Sequence, residues 1–181
     1  MINKIEKETS SVKHIILPYI EKDCYGIDIG FGGDLIREDF VSCDLPVPYG
    51  DYEGYKIDIP CDVSKGIPVK DNTFDVVYSS HLIEDFENTE EILEEFIRIL
   101  KDQGTLILAF PDQKKYEEYC KLHGTIPNAA HKIKDMGLLY IHSKLVNLEE
   151  REVIDAFTST METEVAPYNC IIISKIYKKN V

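Results

Sequence analysis

The sequence predicts an α/β protein with a mostly parallel sheet, helices on both faces and an antiparallel hairpin at the end of the chain. Segments with the apolar character of short strands alternate with segments of helical periodicity through most of the chain. The segment 105–110 is almost continuously apolar, as in a strand that is covered on both faces. Two final strands, 162–165 and 170–177, have little sequence between them, which favours a hairpin with an antiparallel edge strand.

The first half of the chain is predicted to contain one helix and three strands. Apolar residues at helical spacing predict a helix over 11–21, which Pro18 is expected to kink or shorten. A first strand over 25–29 ends at a glycine-rich turn, and a second strand follows over 40–43. A third strand is expected over 55–59.

The second half contains the clearest pattern, a helix over 90–101 whose apolar residues form one stripe. This helix follows a buried strand over 74–79 and precedes a turn at Gln103 and Gly104. The other predicted elements, in chain order, are the strand 105–110, a helix to residue 122, a short helix over 129–136, and a helix over 147–157 that opens with capping-box spacing.

Size and charge limit the classes of partner. The chain has 181 residues, which fits one domain, and its 33 acidic against 20 basic residues give a net charge of -13. This charge disfavours partners held through phosphates, either nucleic acids or anionic membranes. No apolar run approaches the ~20 residues of a membrane span, and residues 1–11 lack the apolar centre of a secretory signal. We expect a cytoplasmic monomer or homodimer.

The cysteines predict buried free thiols in a reducing compartment. Their number is odd, and none forms a C-x-x-C pair, so neither a disulfide framework nor a metal site is expected. The five are Cys24, Cys43, Cys61, Cys120 and Cys170.

The glycine-rich turn after the first strand points to a nucleoside-containing ligand. Glycines at this place let the backbone approach a ligand at the carboxyl ends of the strands. A dinucleotide fingerprint would need glycine or alanine where Leu35 stands, and a pyrophosphate would not favour the nearby Asp28 and Asp34. S-adenosylmethionine has no phosphate and carries a cationic amino group, so these carboxylates suit it. Asp44, at the end of the second strand, can accept both ribose hydroxyls of either ligand.

The order of motifs extends well beyond this turn. The segments that carry it are 28–33, Asp44, 61–63, 67–77, 80–86 and 94–106. Together they resemble class I S-adenosylmethionine-dependent methyltransferases, and are most similar to the group called methyltransferase type 11. The resemblance covers about residues 24–112.

This resemblance implies a Rossmann-like sheet of seven strands, mostly parallel, with an antiparallel C-terminal hairpin. It implies one methyltransferase-like domain over 1–181. Within it, 1–23 would be an N-terminal helical segment, 24–112 the cofactor-binding core, and 113–181 the acceptor-side elements and closing strands.

The resemblance also implies S-adenosylmethionine as the cofactor and a role for each matching residue. The residues at the methionine part of the cofactor would be Asp28, Gly30 and Gly32, and Phe31 would also belong to the cofactor-binding residues. The residues at the ribose and adenine would be Asp44, Leu45, Asp62 and Val63. Ser79 and His81 would line the cofactor and the mouth of the acceptor site.

Several positions depart from the family pattern. They are Phe31, Asp34, Asp85 and Gln103. The stretch between the glycine turn and Asp44 is also short, which implies that the helix usual at this place is cut down or lost. These departures bear on catalysis more than on the fold.

The function expected is methyl transfer to an unidentified acceptor, small-molecule or sugar-like. A hydroxyl acceptor needs a base, and His81 is the best-placed candidate. The other candidate bases are Glu84, Asp85, His123, His131 and His142, of which His131 is the second choice among the histidines. Two alternatives stay open. One is a non-catalytic or degenerate S-adenosylmethionine-binding domain that acts through a protein partner, and the other is a nicotinamide-dependent oxidoreductase.

Overall fold

The computed structural model describes residues 8–46, 56–151, 154–162 and 167–179. The helices are α1 (Glu8–Ile16), α2 (Thr89–Ile99), α3 (Gln113–His123) and α4 (Leu138–Glu150). The strands are β1 (Gly26–Ile29), β2 (Val41–Asp44), β3 (Ile59–Pro60), β4 (Phe74–Ser80), β5 (Leu100–Pro111), β6 (Ile154–Glu162) and β7 (Asn169–Lys178). Within these ranges, no helix has the length and apolar character needed to cross a membrane.

The strands form one seven-stranded sheet in the order β3-β2-β1-β4-β5-β7-β6. The first five strands in this order pair with one another in parallel, whereas β7 pairs antiparallel with both β5 and β6. The predicted α/β class, the seven strands and the C-terminal hairpin are therefore confirmed. The first hairpin strand is Ile154–Glu162, and residues 163–165 of the strand predicted over 162–165 lie outside the described residues. Because β1, β4 and β5 are parallel, the loops that follow them meet at one edge of the sheet.

Apolar side chains cover both faces of this sheet. On one face, α2 and α4 contribute Phe96, Leu93 and Ile141 to the larger buried cluster. On the other face, α1 contributes Val12 and Ile16, which join a separate cluster with strand residues such as Tyr78. Alternation along β4 explains the division, since successive strand residues point to opposite faces.

The first half of the chain folds largely as predicted, with shifted boundaries. Helix α1 starts three residues before the predicted start, and a one-turn 3-10 helix at Leu17–Tyr19, with Pro18 near its start, replaces its last turn. Strand β3 has only two residues, and part of the predicted third strand lies outside the described residues. Residues 30–40 contain no helix, as the short spacing to Asp44 implied.

Two predictions in the last third are wrong. Residues 129–136 form turns and extended chain rather than a helix. The helix predicted over 147–157 ends at Glu150, and Ile154 already begins β6. The capping-box spacing at Asn147 is a local signal, whereas β6 forms because it pairs with β7 from Ile154 to Glu162. Long-range pairing overrides the local preference here.

The turn predicted at Gln103 and Gly104 becomes an irregular stretch inside β5. Gln103 has a φ of 58°, in the left-handed region, while the strand itself runs from Leu100 to Pro111. The register slips at this point, because Phe74 pairs with Leu100 but Val76 pairs with Thr105. A bulge therefore accommodates the turn residues without ending the strand.

None of the five cysteines forms a disulfide, as predicted, but only Cys43, Cys120 and Cys170 are buried, whereas Cys24 and Cys61 are partly exposed. Cys43 on β2 and Cys61 after β3 bring their sulfur atoms to 3.4 Å, which is a thiol contact and not a bond. Burial raises the pKa of both thiols, most strongly that of Cys43.

Candidate functional site

The glycine turn ends β1 at the edge where the parallel strands terminate. Gly30, Gly32 and Gly33 all have positive φ values, of 72°, 55° and 75°. A Cβ on Gly30 would lie 2.9 Å from the side chain of Leu82, whereas a Cβ on Gly32 would meet no atom of the described residues closer than 4.0 Å. The turn thus needs glycine for its conformation, and it leaves space in front of Gly32 for a ligand.

Asp28 lies under this turn and is fully buried. Its Oδ2 atom accepts a hydrogen bond from the backbone of Ile36 at 2.7 Å, while Oδ1 receives none from the described residues. Burial raises the pKa of Asp28 well above its usual range, and the hydrogen bond from Ile36 opposes this shift. A buried carboxylate oxygen without a donor would be satisfied by a cationic amino group.

Asp44 connects the end of β2 to the same turn. Its two carboxylate oxygens accept hydrogen bonds from the backbone of Gly32 at 3.1 Å and of Leu45 at 2.7 Å. The side chain of Leu45 is 42% exposed, which is unusual for leucine and leaves an apolar surface beside the carboxylate. A carboxylate next to an exposed apolar side chain suits a ribose and its base.

Asp62 and Val63 follow β3 and begin a one-turn 3-10 helix, Val63–Lys65. Asp62 caps this turn by accepting from the backbone and hydroxyl of Ser64, and its other oxygen lies 3.0 Å from Nζ of Lys65. The hydrogen bonds from Ser64 and Lys65 lower the pKa of Asp62. Val63 is buried in the core. The role of these two residues at the adenine stays a prediction.

Phe31 and Ser79 lie inside the protein at this edge. Phe31 is 2% exposed and packs with Leu35 in a small buried cluster. Ser79, at the end of β4, is also 2% exposed, and its hydroxyl donates to the carbonyl of Ile29 at 2.9 Å. Both therefore shape the turn from within, and contact of their side chains with the cofactor stays a prediction.

Asp34, one of the departures from the family pattern, has a structural role. Its carboxylate accepts hydrogen bonds from the backbone of Ser10 at 2.7 Å and from the Ser10 hydroxyl at 2.8 Å. Nζ of Lys13 lies 3.2 Å from the same carboxylate. Asp34 therefore ties the glycine turn to the first turn of α1, in the manner of a helix cap supplied from elsewhere in the chain.

His81 directly follows β4, at the same edge as the glycine turn. Its φ of 49° lies in the left-handed region, which is uncommon outside glycine. Its Nε2 lies 2.9 Å from Oδ1 of Asn169, and its Nδ1 lies 3.4 Å from Oε1 of Glu84. Its side chain is 10% exposed. Backbone conformations of this kind persist where the surrounding structure enforces them, often at functional sites.

His131 meets the other side of Glu84. Its Nε2 lies 3.6 Å from Oε1 of Glu84, and its Nδ1 lies 2.8 Å from Oε1 of Gln113 on α3. Its ring packs against Tyr116, with the ring centres 5.0 Å apart. The structure thus brings together three of the candidate bases, His81, Glu84 and His131.

The other candidate bases lie elsewhere or differ in environment. His123 is exposed and stacks on Tyr119, and His142 lines a groove on α4. Asp85, next to Glu84, is half-buried. Burial, and then the nearby charge of Glu84, raises the pKa of Asp85 to about 6.

Comparison with known proteins identifies the family. The sequence profile of the methyltransferase domain family matches residues 16–108, about half of the chain. The chain belongs to the methyltransferase domain family. It is a class I member, and S-adenosylmethionine is its cofactor. No curated protein matches the chain.

Solved structures agree with this methyltransferase fold. An S-adenosylmethionine-dependent methyltransferase from Archaeoglobus fulgidus superposes with a TM-score of 0.67 at 17% identity, covering 92% of this chain and 94% of that one. A protein from Pyrococcus horikoshii gives a TM-score of 0.67 at 17% identity, covering 91% of this chain and 87% of that one. An S-adenosylmethionine-dependent methyltransferase from Thermotoga maritima gives a TM-score of 0.62 at 14% identity, covering 90% of this chain and 86% of that one.

The groups at the glycine turn fit the cofactor of this methyltransferase family. The buried Oδ1 of Asp28 has no donor within the described part of the chain, and the methionine part of S-adenosylmethionine carries an amino group. The open space before Gly32 admits the ligand, and Asp44 with Leu45 offers an acceptor and an apolar surface.

A groove beside α3 and α4 has a volume of about 570 Å³. It lies between the start of α3, at Asp112, and the start of α4. Its apolar lining includes Met136, Leu138 and Leu139. Leu139 is 87% exposed there, so the groove combines an open mouth with an apolar wall.

Sequence reasoning missed the partners of the histidines. The spacing of His81 and Glu84 is visible in the sequence, but nothing in it indicates that Glu84 is fully buried. Gln113 and Asn169 are ordinary polar residues in sequence, and both are buried against an imidazole in the fold. Only the tertiary structure identifies them.

Proposed function

We propose that this protein transfers the methyl group of S-adenosylmethionine to a hydroxyl group of a small-molecule or sugar-like acceptor, with His81 as the general base. The observation that carries the proposal is the position of His81. It follows β4 at the edge that holds the glycine turn, and both of its ring nitrogens face polar groups, those of Asn169 and Glu84. A base in such a place is oriented before the acceptor binds.

The cofactor would supply an electrophilic methyl group on a cationic sulfur. The chain contributes binding, alignment and exclusion of water. Asp28 would hold the amino group, Asp44 the ribose hydroxyls, and Leu45 would pack against the adenine. A methyl acceptor with a hydroxyl group must lose its proton during the reaction, and the imidazole of His81 would take it.

The acceptor side supports a small acceptor. The groove of about 570 Å³ next to Asp112 falls within the usual size range of small-molecule sites. Tyr116 and Tyr119, on the neighbouring helix α3, both pack edge-on against Tyr168 and form an aromatic cluster after β5. Aromatic and apolar walls with few polar groups are typical of sites for small organic ligands.

Cofactor binding tests the first half of the proposal. Calorimetric titration with S-adenosylhomocysteine should give micromolar binding, and NAD should give none. Asp44→Ala should weaken binding by about 100-fold, because two hydrogen bonds to a carboxylate are each worth about 1.5 kcal/mol. Asp39→Ala is the matched control, since Asp39 is an exposed carboxylate paired with Arg37, and it should leave binding unchanged. An Asp44→Ala protein that binds like wild type would contradict the assignment.

Turnover tests the second half. Methyl-labelled S-adenosylmethionine should transfer label to a member of a pooled set of hydroxylated small molecules. His81→Gln should lower the rate by about 100-fold or more, as expected for loss of a general base, while S-adenosylhomocysteine binding is retained. Tight binding of S-adenosylhomocysteine without turnover of any acceptor would favour the alternative, a non-catalytic domain that acts through a protein partner.

A further inference from the structure

Glu84 is a fully buried carboxylate in the one-turn 3-10 helix Ile83–Asp85. Neither of its side-chain oxygens receives a hydrogen bond of normal geometry from the described residues. Two imidazoles lie at ion-pair distance from its Oε1, His81 at 3.4 Å and His131 at 3.6 Å. An ionised carboxylate in such surroundings is strongly disfavoured unless a positive charge accompanies it.

The hydrogen bonds of Gln113 decide where a proton must lie. The side-chain nitrogen of Gln113 donates to Glu117 at 2.9 Å, so its oxygen faces Nδ1 of His131 at 2.8 Å. Nδ1 of His131 must therefore carry a hydrogen. A neutral His131 would then present the lone pair of Nε2 to the Glu84 carboxylate, which is repulsive, whereas an imidazolium presents N–H.

For His81, the contacts allow either ring nitrogen to carry the hydrogen. Its Nε2 lies against the amide of Asn169, and among the described residues no other side-chain hydrogen bond of Asn169 fixes which amide atom faces the ring. If the amide NH2 faces Nε2, then Nδ1 carries the hydrogen and donates towards Glu84. This tautomer leaves Nε2 as the basic nitrogen.

The main chain holds the cluster together. The carbonyl of Glu84 accepts hydrogen bonds from the backbone of Lys132 at 2.8 Å and of Ile133 at 3.4 Å. The backbone of Gln113 donates to the carbonyl of Met136 at 3.0 Å. The segment that carries His131 is thus tied to Glu84 on one side and to α3 on the other.

Other charged and titratable groups surround the three residues. Asp85 adds a carboxylate on the same turn, and Lys132 adds a cation beside His131; both interact electrostatically at this place. Glu117 reaches the cluster through Gln113, and the rings of Tyr116 and Tyr168 pack against His131 and His81 respectively. Among the described residues, no group of histidine, cysteine and acidic side chains is arranged to hold a metal ion.

We propose that Glu84 is the positioning residue of the His81 base, and that His131, as an imidazolium, keeps the Glu84 carboxylate ionised. This inference rests on the proposed role of His81. When the acceptor hydroxyl reacts, it takes the place of the Asn169 amide beside Nε2 of His81. Its O–H bond then breaks and an N–H bond forms at Nε2. The positive charge on that ring is balanced by the carboxylate that Nδ1–H already faces. His131 and Glu84 do not touch the acceptor; they set the tautomer and the charge of the residue that does.

The test is an NMR titration of the imidazole nitrogens, because it needs no knowledge of the acceptor. Uniformly ¹⁵N-labelled protein, free and with S-adenosylhomocysteine, is titrated from about pH 5 to pH 9. In the wild-type protein we expect His131 to stay doubly protonated at pH 7.5, where an ordinary imidazole with a pKa of about 6.5 is mostly neutral. We expect neutral His81 to carry its hydrogen on Nδ1. In Glu84→Gln, the pKa of His131 should fall by at least about one unit, and His81 should populate both tautomers.

Two control variants separate charge from structure. Glu87→Gln removes an exposed carboxylate three positions away and should leave both histidine spectra unchanged. Glu84→Asp keeps the charge on a shorter side chain and should restore most of the His131 protonation that Glu84→Gln removes. A merely structural role of Glu84 would not distinguish aspartate from glutamine in this way.

The inference is overturned if His131 is neutral at pH 7.5 in the wild-type protein, or if it titrates identically in Glu84→Gln. The wild-type spectrum decides the first point even if the variant does not fold. Calorimetry with S-adenosylhomocysteine distinguishes failure of this inference from failure of the proposed function. If the protein binds S-adenosylhomocysteine but both histidines titrate as ordinary imidazoles, only the role of Glu84 and His131 is overturned.

Discussion

The glycine turn after β1 and the histidine cluster after β4 lie at the same edge of the sheet but are built differently. In the turn, contacts join residues that are near in sequence, with 8 positions between Asp28 and Ile36 and 12 between Gly32 and Asp44. In the cluster, 18 positions separate Gln113 from His131, and 88 separate His81 from Asn169.

The two regions also differ in the groups that hold their carboxylates. Asp28 and Asp44 are both anchored by backbone N–H groups, which any sequence supplies once the turn forms. Glu84 depends on two particular side chains, His81 and His131, that come from different elements. A site made of backbone and nearby carboxylates can tolerate sequence change around it, whereas a side-chain cluster fails when one member is lost. The following predictions test this contrast.

The largest effect is expected at the turn itself. Gly30→Ala should lower the free energy of unfolding by about 3 kcal/mol, because the residue has positive φ and its Cβ would lie 2.9 Å from Leu82. Gly124→Ala is the matched control. It has a φ of 66° but no atom within 4 Å of its Cβ, and should cost only about 1 kcal/mol. Urea denaturation measures both, and equal losses would show that Leu82 is not packed on the turn.

A double-mutant cycle measures the cluster. Glu84→Gln and His131→Gln, singly and together, should show a coupling energy of about 2 kcal/mol, as for buried partners that share one charge. The control cycle is the exposed pair Asp62 and Lys65, 36% and 80% exposed, whose coupling should stay below about 0.5 kcal/mol. Additive effects at Glu84 and His131 would mean that the two side chains are neighbours without an electrostatic interaction.

Asp34 tests whether the departure from the family pattern serves stability or cofactor binding. Asp34→Ala removes the acceptor for Ser10 and the ion-pair partner of Lys13, and should cost about 1.5 kcal/mol of stability, within the range of helix-cap losses. Calorimetry on the folded variant should show S-adenosylhomocysteine affinity within about twofold of wild type, since this carboxylate points to α1. A large loss of affinity with unchanged stability would reverse the assignment.

The smallest effect concerns Asp85 and depends on pH. Its pKa of about 6 in the folded protein lies above the usual value of 3.8, so the folded state holds this proton more tightly than the unfolded state. Stability from this group is present below about pH 4 and is lost as pH rises through 6. Asp85→Asn should therefore gain stability relative to wild type between pH 4 and pH 7. Because the side chain is half-buried, we expect a gain of about 1 kcal/mol, measured by denaturation at both pH values. A stability difference between Asp85→Asn and wild type that does not change with pH would contradict the raised pKa of Asp85.

The sequence alone determined the architecture and the family, and it predicted which residues form the cofactor end of the candidate site. Apolar periodicity and the glycine turn predicted the α/β sheet, and the motif order from Asp28 through Asp44 to the strand 74–79 predicted the family. These features are local: a strand, a turn and a strand-end carboxylate each leave their pattern within a few residues, so they can be recognised without the fold.

Tertiary structure alone decided the rest. It replaced the predicted helix over 129–136 with turns and extended chain that carry His131, and it began β6 at Ile154 within the predicted helix over 147–157. In the folded protein, Glu84 is also buried between two imidazoles, and Asp34 accepts hydrogen bonds at the start of α1. The physical reason is the same in each case. Strand pairing, burial of charge and capping from a distance depend on partners far away in the chain, and residues that meet only in the folded protein share no local pattern.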